Sequence, residues 1–235
     1  MDWPKEYSKT TQAVREAAFK LYYVEAITQS VLLPGQMKTA YHGGPLTTDY
    51  YLFLFTSRKN PKLKGYFICG LYAAKGWFEV NGQRPEEIPS YNPLTGESSG
   101  SSKTGGCGST KPQKAESDPR MKRLIRVLQT FISLTDDEER KIKGESTTLT
   151  VLQKLIKSSK DSPSTSNIRS VNTILYKALK NGSHGGASTF TQLVAHYGVL
   201  LGVAFKKISI DDFNQEIDDT RKKSETYSYN PLASF

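Results

Sequence analysis

The chain has 235 residues, which is enough for one large domain or two small ones with a buried core. Hydrophobic residues make up 37%, so we expect part of the chain to lie outside any packed core. The net charge of +9 favours an anionic partner, either nucleic acid or an anionic membrane surface. Cys69 and Cys107 are too few for a zinc site, and no metal or cofactor is predicted. Without a secretory signal the sequence predicts a reduced, intracellular protein, cytoplasmic or nuclear.

The N-terminal part predicts a helix followed by strands. Apolar side chains recur at helical spacing over Thr10–Gln29, and a Pro-Gly pair follows soon afterwards. Two aromatic, strand-like runs come next, at Tyr50–Phe55 and Gly65–Tyr72. A third short strand is predicted at Trp77–Val80, with Asn81-Gly82 as a turn after it.

The loop between the two aromatic runs is strongly basic. From Tyr50 to Phe78 the sequence contains no acidic residue. Aromatic rings can stack on bases while lysines hold phosphates, so the loop is the first predicted nucleic-acid-binding site. The alternative is a hairpin whose rings are only buried in a core. The predicted contact residues of this loop are Arg58, Lys59, Lys62 and Lys64.

A change of composition divides the chain. Three prolines interrupt residues 85–93, and residues 96–118 contain no aliphatic side chain larger than alanine. This composition is typical of a flexible linker, which we place at residues 86–119. It separates an N-terminal α+β unit, residues 1–85, from a helical domain, residues 120–223. Residues 224–235 are predicted to be a C-terminal tail.

The second half predicts a helical bundle. An apolar stripe begins at Met121, and Thr135 with Glu138 forms a capping box for a short helix ending at Gly144. The most apolar stretch, Ser188–Phe205, is too short to span a bilayer and predicts a buried central helix. Its Gly198 and Gly202 predict close packing of a neighbouring helix. Basic residues beside the first stripe form the second predicted nucleic-acid set: Arg120, Lys122, Arg123 and Arg126.

The predicted fold class is therefore α+β and mostly α. It combines a small N-terminal helix and antiparallel β-hairpin unit, a flexible linker, and a C-terminal helical bundle around a buried central helix.

One five-residue segment occurs twice. Ser90–Leu94 and Ser228–Leu232 have the same sequence, SYNPL, at the predicted linker entry and in the predicted tail. Two copies of a docking peptide would give avidity for a partner with two sites. Two similar Asn-Pro turns are the alternative. The partner-docking residues of this hypothesis are Tyr91, Leu94, Tyr229 and Leu232.

A hydrolase motif is also present. Residues 96–100 fit the pattern G-x-S-x-G around Ser98, with His42-Gly43-Gly44 upstream and His184 downstream. An activated serine needs a strand before it and a helix after it, whereas prolines and a Gly/Ser tract flank Ser98. A serine esterase is therefore only the remote alternative.

These patterns predict a non-enzymatic, basic assembly or packaging protein without a small-molecule substrate. The expected partner is nucleic acid, RNA before DNA, and the most concrete version is a homo-oligomeric viral structural protein of nucleocapsid or matrix type, found in the virion. The alternatives are a membrane-peripheral matrix protein and a peptide-docking adaptor that uses the SYNPL segments.

Overall fold

The computed structural model describes residues 2–98, 117–135, 147–181 and 184–221, together with Leu232. In this part of the chain, the helices and strands are α1 (Gln12–Leu21), β1 (Tyr22–Ser30), β2 (Tyr50–Ser57), β3 (Lys64–Gly70), α2 (Leu71–Asn81), α3 (Pro119–Leu134), α4 (Thr147–Lys157), α5 (Thr165–Asn181), α6 (Phe190–Leu201) and α7 (Asp211–Arg221). The predicted fold class, α+β and mostly α, is confirmed.

The predicted first helix is correct only over its first half. α1 ends at Leu21, and the chain continues directly as β1. The residues at this switch are aromatic or β-branched, which favours a strand. Val24 and Ala26 then lie buried in the same aromatic core, two residues apart as a strand requires. Helical spacing beyond Leu21 was therefore a coincidence that the packing of the sheet overrides.

The three strands form an antiparallel sheet in the order β1-β2-β3, so the predicted hairpin is confirmed and gains a third strand. Tyr23, Thr56 and Lys64 lie side by side across the three strands near one end of the sheet. The register of β1 against β2 shifts between Ala26 and Thr28. Such an irregularity locally increases the twist of the strand.

Side chains and a neighbouring segment occupy the outer edge of β1. Gln83 Oε1 accepts from the N–H of Ala26 at 2.7 Å, and Gln83 Nε2 donates to the carbonyl of Ala26 at 3.1 Å. Further along the strand, the N–H of Gln29 donates to the carbonyl of Pro89 at 3.0 Å. These bonds use backbone groups that an open edge would present to solvent.

The predicted third strand at Trp77–Val80 is wrong, because these residues belong to α2. The helix ends at Gly82, whose φ of 73° is left-handed, and the N–H of Gly82 donates to the carbonyl of Phe78 at 2.9 Å. Asn81-Gly82 therefore ends a helix instead of forming a hairpin turn. The aromatic composition suggested a strand, but α2 buries the same rings against the sheet.

One face of the sheet carries an aromatic core. Trp3 lies at its centre, with ring centroids 4.6 Å from Phe67, 5.0 Å from Phe55 and 5.4 Å from Trp77. Edge-to-face and tilted pairs of this kind add stability beyond the burial of their area. α1 and α2 contribute Ala18 and Trp77 to this cluster. Most of the predicted hairpin rings are therefore core residues.

The other face of the sheet packs against the helices of the second half. Leu52 and Ile68 share a hydrophobic cluster with the apolar side chains of α3, α4 and α5. A buried hydrogen bond from Gln129 Nε2 to Thr28 Oγ1, at 2.9 Å, joins α3 to β1. Because both halves contribute to this cluster, it bridges the predicted N-terminal unit and the predicted helical domain.

The most buried helix is α3, in which every residue from Val127 to Leu134 is buried. Its apolar stripe was predicted correctly, and Asp118 caps its start by accepting from the N–H of Met121 at 2.9 Å. The prediction that Ser188–Phe205 forms the buried central helix is wrong. α6 covers only part of that stretch and buries its N-terminal end, as described below.

The two glycines of α6 also have a different role from the predicted one. Gly202 has a φ of 63° and closes the helix, and the N–H of Val203 donates to the carbonyl of Gly198 at 2.9 Å. A Cβ on Gly198 would lie 3.0 Å from the carbonyl oxygen of Val203. The glycines therefore allow a tight helix end, as in other left-handed C-caps.

Part of the predicted linker packs onto the protein. Ile88 and Tyr91 are buried, so residues 86–98 do not behave as a free connection. Residues 99–116 lie outside the described residues, as do the capping-box residues after Thr135 and the short helix predicted to end at Gly144. The boundaries of the four predicted segments stay predictions. Among the described helices, none has the length and apolarity needed to cross a bilayer.

Candidate nucleic-acid interface

The turn between β2 and β3 is fixed by its own hydrogen bonds. The N–H of Asn60 donates to Ser57 Oγ at 3.3 Å, and the N–H of Lys62 donates to Asn60 Oδ1 at 3.1 Å. A backbone hydrogen bond closes the turn, in which the N–H of Ser57 donates to the carbonyl of Leu63 at 2.8 Å. Serine and asparagine side chains stabilise turns in this way. The basic loop is therefore presented in a defined conformation.

Arg58 ties this turn to the junction between α1 and β1. Its backbone N–H donates to the carbonyl of Leu21 at 2.8 Å, and its Nε donates to the carbonyl of Phe19 at 2.9 Å. The guanidinium lies 3.8 Å from the ring centroid of Tyr23 and 4.9 Å from that of Phe19. Stacking of arginine on an aromatic face is favourable even at the surface.

Tyr23 is the exposed aromatic residue of this region. Its side chain is 58% exposed, in contrast to the buried rings of the hairpin. The register places Tyr23 in one row with Thr56 and Lys64, beside the stacked Arg58. We define the tip patch as five residues of this region: Tyr23, Arg58, Lys59, Lys62 and Lys64.

The two lysines of the turn have no acidic partner among the described residues. Lys59 and Lys62 are exposed, and neither forms an ion pair with any residue that the structure describes. Lys64 is half-buried at the start of β3. Since no acidic residue occurs in β2, the turn or β3, the positive charge is not cancelled within the hairpin. The arrangement can hold phosphates beside a flat aromatic surface.

The second predicted set lies on α3, and two of its arginines form ion pairs with α7. Arg120 Nε contacts Asp212 Oδ2 at 2.8 Å, and Arg123 Nη2 contacts the same oxygen at 2.6 Å. Arg120 also reaches Glu216 at 3.1 Å, and both guanidinium groups lie 5.4 Å from the ring centroid of Phe213. The hydrogen bond to Asp212 raises the pKa of Arg120, with Glu216 adding to it. These arginines join α3 to α7.

The other two members of that set do not form an open basic surface either. Arg126 Nη2 donates to Ser98 Oγ at 3.1 Å, and its guanidinium lies 5.5 Å from the ring centroid of Tyr91. Lys122 is half-buried. The structure thus separates the two predicted sets. Lys59 and Lys62 of the tip patch are exposed, whereas the arginines of α3 are engaged with other side chains.

The docking residues of the SYNPL segments that the structure describes are buried or half-buried. Tyr91 and Leu232 are buried and Leu94 is half-buried, whereas Tyr229 lies outside the described residues. Burial raises the pKa of the Tyr91 phenol, and Arg126 opposes that rise. In this conformation the buried anchors pack into the protein's own core and are not presented to a partner.

Among the described residues, the serine of the hydrolase motif contacts an arginine. Ser98 is exposed in a loop, after the turn in which the N–H of Gly96 donates to the carbonyl of Asn92 at 2.8 Å. Its hydroxyl accepts from Arg126, not from a histidine. His184 is buried, and its Nδ1 lies 3.4 Å from the hydroxyl of Tyr197. The serine and the histidine of the motif are thus held by different neighbours.

Sequence reasoning missed Tyr23, because it placed this residue inside the first predicted helix. The signal that could have found it is local: two tyrosines and a valine in a row favour a strand. The alternation of a strand then puts Tyr23 on the face opposite to Tyr22.

Comparisons of the chain with protein-family models, with curated proteins and with solved structures found no match.

Proposed function

We propose that the protein binds single-stranded nucleic acid through the tip patch, as a non-enzymatic assembly or packaging protein. The observation that carries the proposal is the exposed Tyr23 ring with Arg58 stacked on it, flanked by the lysines of an ordered turn. A viral structural protein of nucleocapsid or matrix type remains the most concrete version. RNA is the preferred ligand in this proposal, and the experiment below compares it with DNA.

The aromatic part of the patch supplies a stacking surface. Bases of single strands stack on exposed aromatic rings and on arginine planes, and such contacts tolerate any base. Arg58 is held at both its backbone and its Nε, so the plane is ordered before a ligand arrives. An ordered plane lowers the entropy cost of binding.

The basic part supplies attraction to phosphate. Lys59 and Lys62 extend from a turn whose backbone is already hydrogen-bonded, and their charges are solvated. Binding of phosphate by such lysines releases condensed counterions, so the binding constant falls steeply as salt rises. The paired arginines of α3 would have to break ion pairs with Asp212 before they could contribute in the same way.

The test is a salt-titrated binding assay with single-stranded RNA, single-stranded DNA of the same sequence, and duplex DNA. The variant Lys59→Ala/Lys62→Ala removes two solvated charges and leaves the Arg58 stack intact. We expect the slope of log affinity against log salt to flatten by about 0.7 for each phosphate of a single strand that the variant no longer neutralises.

The matched control is Lys75→Ala/Lys177→Ala, which removes the same charge from exposed positions on α2 and α5. It should lower affinity only slightly, through the change in net charge. If both double variants change the salt slope equally, binding depends on overall charge and the tip patch is not the site.

A further inference from the structure

The C-terminal end of α6 exposes apolar side chains. Val199 is 86% exposed and Leu200 is 64% exposed, and Ala204 just beyond the helix is also exposed. We name these three residues the α6 tip. Single exposed apolar residues are ordinary, whereas a contiguous exposed apolar patch is typical of an interaction site.

The α6 tip is fixed and not frayed. The N–H of Gly202 donates to the carbonyls of Gly198 and Val199, and Gly202 adopts the left-handed conformation that ends the helix. The chain then folds back, with Val203 bonded to Gly198. Val199 and Leu200 are thereby held at a closed turn.

The other end of α6 anchors the helix in the protein. Thr189 caps it by accepting from the N–H of Gln192 at 3.2 Å, and Phe190 and Leu193 are buried. The helix is therefore held at its start and exposed at its end. Because the N-terminal end of α6 is anchored in the protein, its exposed apolar C-terminal end can contact an apolar environment while the helix stays folded.

Two exposed lysines follow the α6 tip. The backbone of Lys206 is fixed because its N–H donates to the carbonyl of Pro93 at 2.7 Å, and Lys207 is next in sequence. From residue 162 to residue 210 the chain has five basic residues and no acidic one. Neither lysine forms an ion pair with a described residue.

We propose that the α6 tip docks the protein onto an anionic membrane surface. Val199 and Leu200 would enter the boundary between headgroups and acyl chains, while Lys206 and Lys207 stay at the level of the lipid phosphates. Charge complementarity selects this occupant, since apolar insertion beside a cationic rim is the chemistry of peripheral membrane binding. The proposal does not depend on nucleic-acid binding.

The test is flotation of the full chain with vesicles of phosphatidylcholine alone and of phosphatidylcholine mixed with phosphatidylserine. We expect binding to the mixed vesicles and little to the neutral ones. Val199→Ser/Leu200→Ser should weaken binding by at least about tenfold, because the two side chains no longer insert. Lys206→Ala/Lys207→Ala should weaken it by roughly tenfold or more and reduce its salt dependence.

The matched control is Met37→Ser/Tyr72→Ser, which replaces two other exposed apolar side chains, 94% and 89% exposed. This variant should bind like the original chain. Equal losses of binding in the control and the α6-tip variant would overturn the proposal, because they would indicate unspecific apolar adsorption.

The variant Leu200→Trp measures how deeply the α6 tip inserts into the membrane. The two native tryptophans, Trp3 and Trp77, are buried in the aromatic core, so a change in emission on membrane binding reports the new indole. We expect a blue shift and quenching by lipids brominated on the acyl chains. Absence of quenching in bound protein, or loss of self-association instead of vesicle binding in the serine variant, would overturn the proposal. The second outcome would identify the α6 tip as a contact between copies of this chain.

Discussion

At the scale of single residues, Tyr23 differs in its exposure from the phenylalanines of the sheet. The rings of Phe53, Phe55 and Phe67 are buried on the aromatic face of the sheet, whereas Tyr23 lies exposed in the same row as Lys64. Aromatic composition alone does not distinguish these roles, because a buried ring and a stacking ring have the same chemistry. The distinction comes from the strand register, which places alternate residues on opposite faces.

The corresponding prediction is that Tyr23→Ala weakens binding of single-stranded RNA by roughly 5- to 150-fold, since one stacked base contributes about 1–3 kcal/mol. Tyr23→Phe should bind nearly as well as the original chain, because the ring remains. Fluorescence anisotropy at fixed salt measures both. The control is Tyr72→Ala at another exposed tyrosine, and an equal loss of affinity there would contradict a specific role for Tyr23.

Arg15 is the other residue whose position is unusual. It is buried, and it forms no ion pair with any described residue. Within the described part of the chain, Arg15 Nε has no hydrogen-bond partner, and the Tyr41 hydroxyl lies within interaction range of the Arg15 and Trp77 side chains. Burial raises the pKa of the Tyr41 phenol, and the charge of Arg15 opposes that rise, which indicates that the two groups are close. Burial of a charge is costly unless its neighbours stabilise it, so this site should tolerate little change.

At the scale of elements, Arg15 explains how α1 packs on α2. A Cβ added to Gly76 would lie 2.2 Å from Arg15 Nη1 and 2.5 Å from its Cζ, so the guanidinium rests against the bare backbone of α2. Glycine inside a helix normally costs about 1 kcal/mol relative to alanine. Here the missing side chain provides the space that the guanidinium occupies.

We therefore expect Gly76→Ala to lower the free energy of unfolding by about 1–2 kcal/mol, because overpacking outweighs the gain in helix propensity. In the background of Arg15→Ala the same substitution should be neutral or stabilising, since the space is then open. Urea unfolding of the four proteins of this double-mutant cycle measures the coupling. Additive effects of the two substitutions would show that the guanidinium moves away without cost.

Helix α6 and helix α3 show what sequence patterns can and cannot predict about an element. The stripe of α3 predicted its buried face correctly, because its charged residues define the opposite face. The same reasoning failed for α6, where uniform apolarity was interpreted as burial on all sides. Whether Val199 is covered depends on a partner surface elsewhere in the fold, and no local pattern contains that information. Tyr23 was missed for a different, local reason, because its segment was predicted as helix and forms a strand.

At the scale of the whole molecule, the sheet lies between two hydrophobic clusters and contributes residues to both. Its aromatic face packs on α1 and α2, and its other face packs on the helices that follow residue 117. Gln129 and Ser133 of α3 make buried hydrogen bonds with Thr28 and Ser30 of β1, at 2.9 and 2.8 Å. Removal of either half would leave such groups without partners, which is unfavourable.

We therefore expect one cooperative unfolding transition for the full chain. Both tryptophans, Trp3 and Trp77, report on the aromatic core, whereas far-UV circular dichroism is dominated by the helices after residue 117. The urea midpoints from the two signals should coincide. Two separate midpoints would instead support the predicted division into independent units at residues 86–119.

The edge of β1 also limits how copies of this protein can assemble. Amyloid-like growth and strand exchange both begin when a sheet accepts an extra strand at a free border. Gln83 and Pro89 already form hydrogen bonds with backbone groups at the outer edge of β1. At the opposite edge of the sheet, on β3, the N–H of Tyr41 donates to the carbonyl of Ile68 at 2.9 Å. These contacts disfavour the addition of another strand. We therefore expect a lattice of many copies to use side-chain surfaces such as helix ends and turns, and to come apart without any β-ladder being broken.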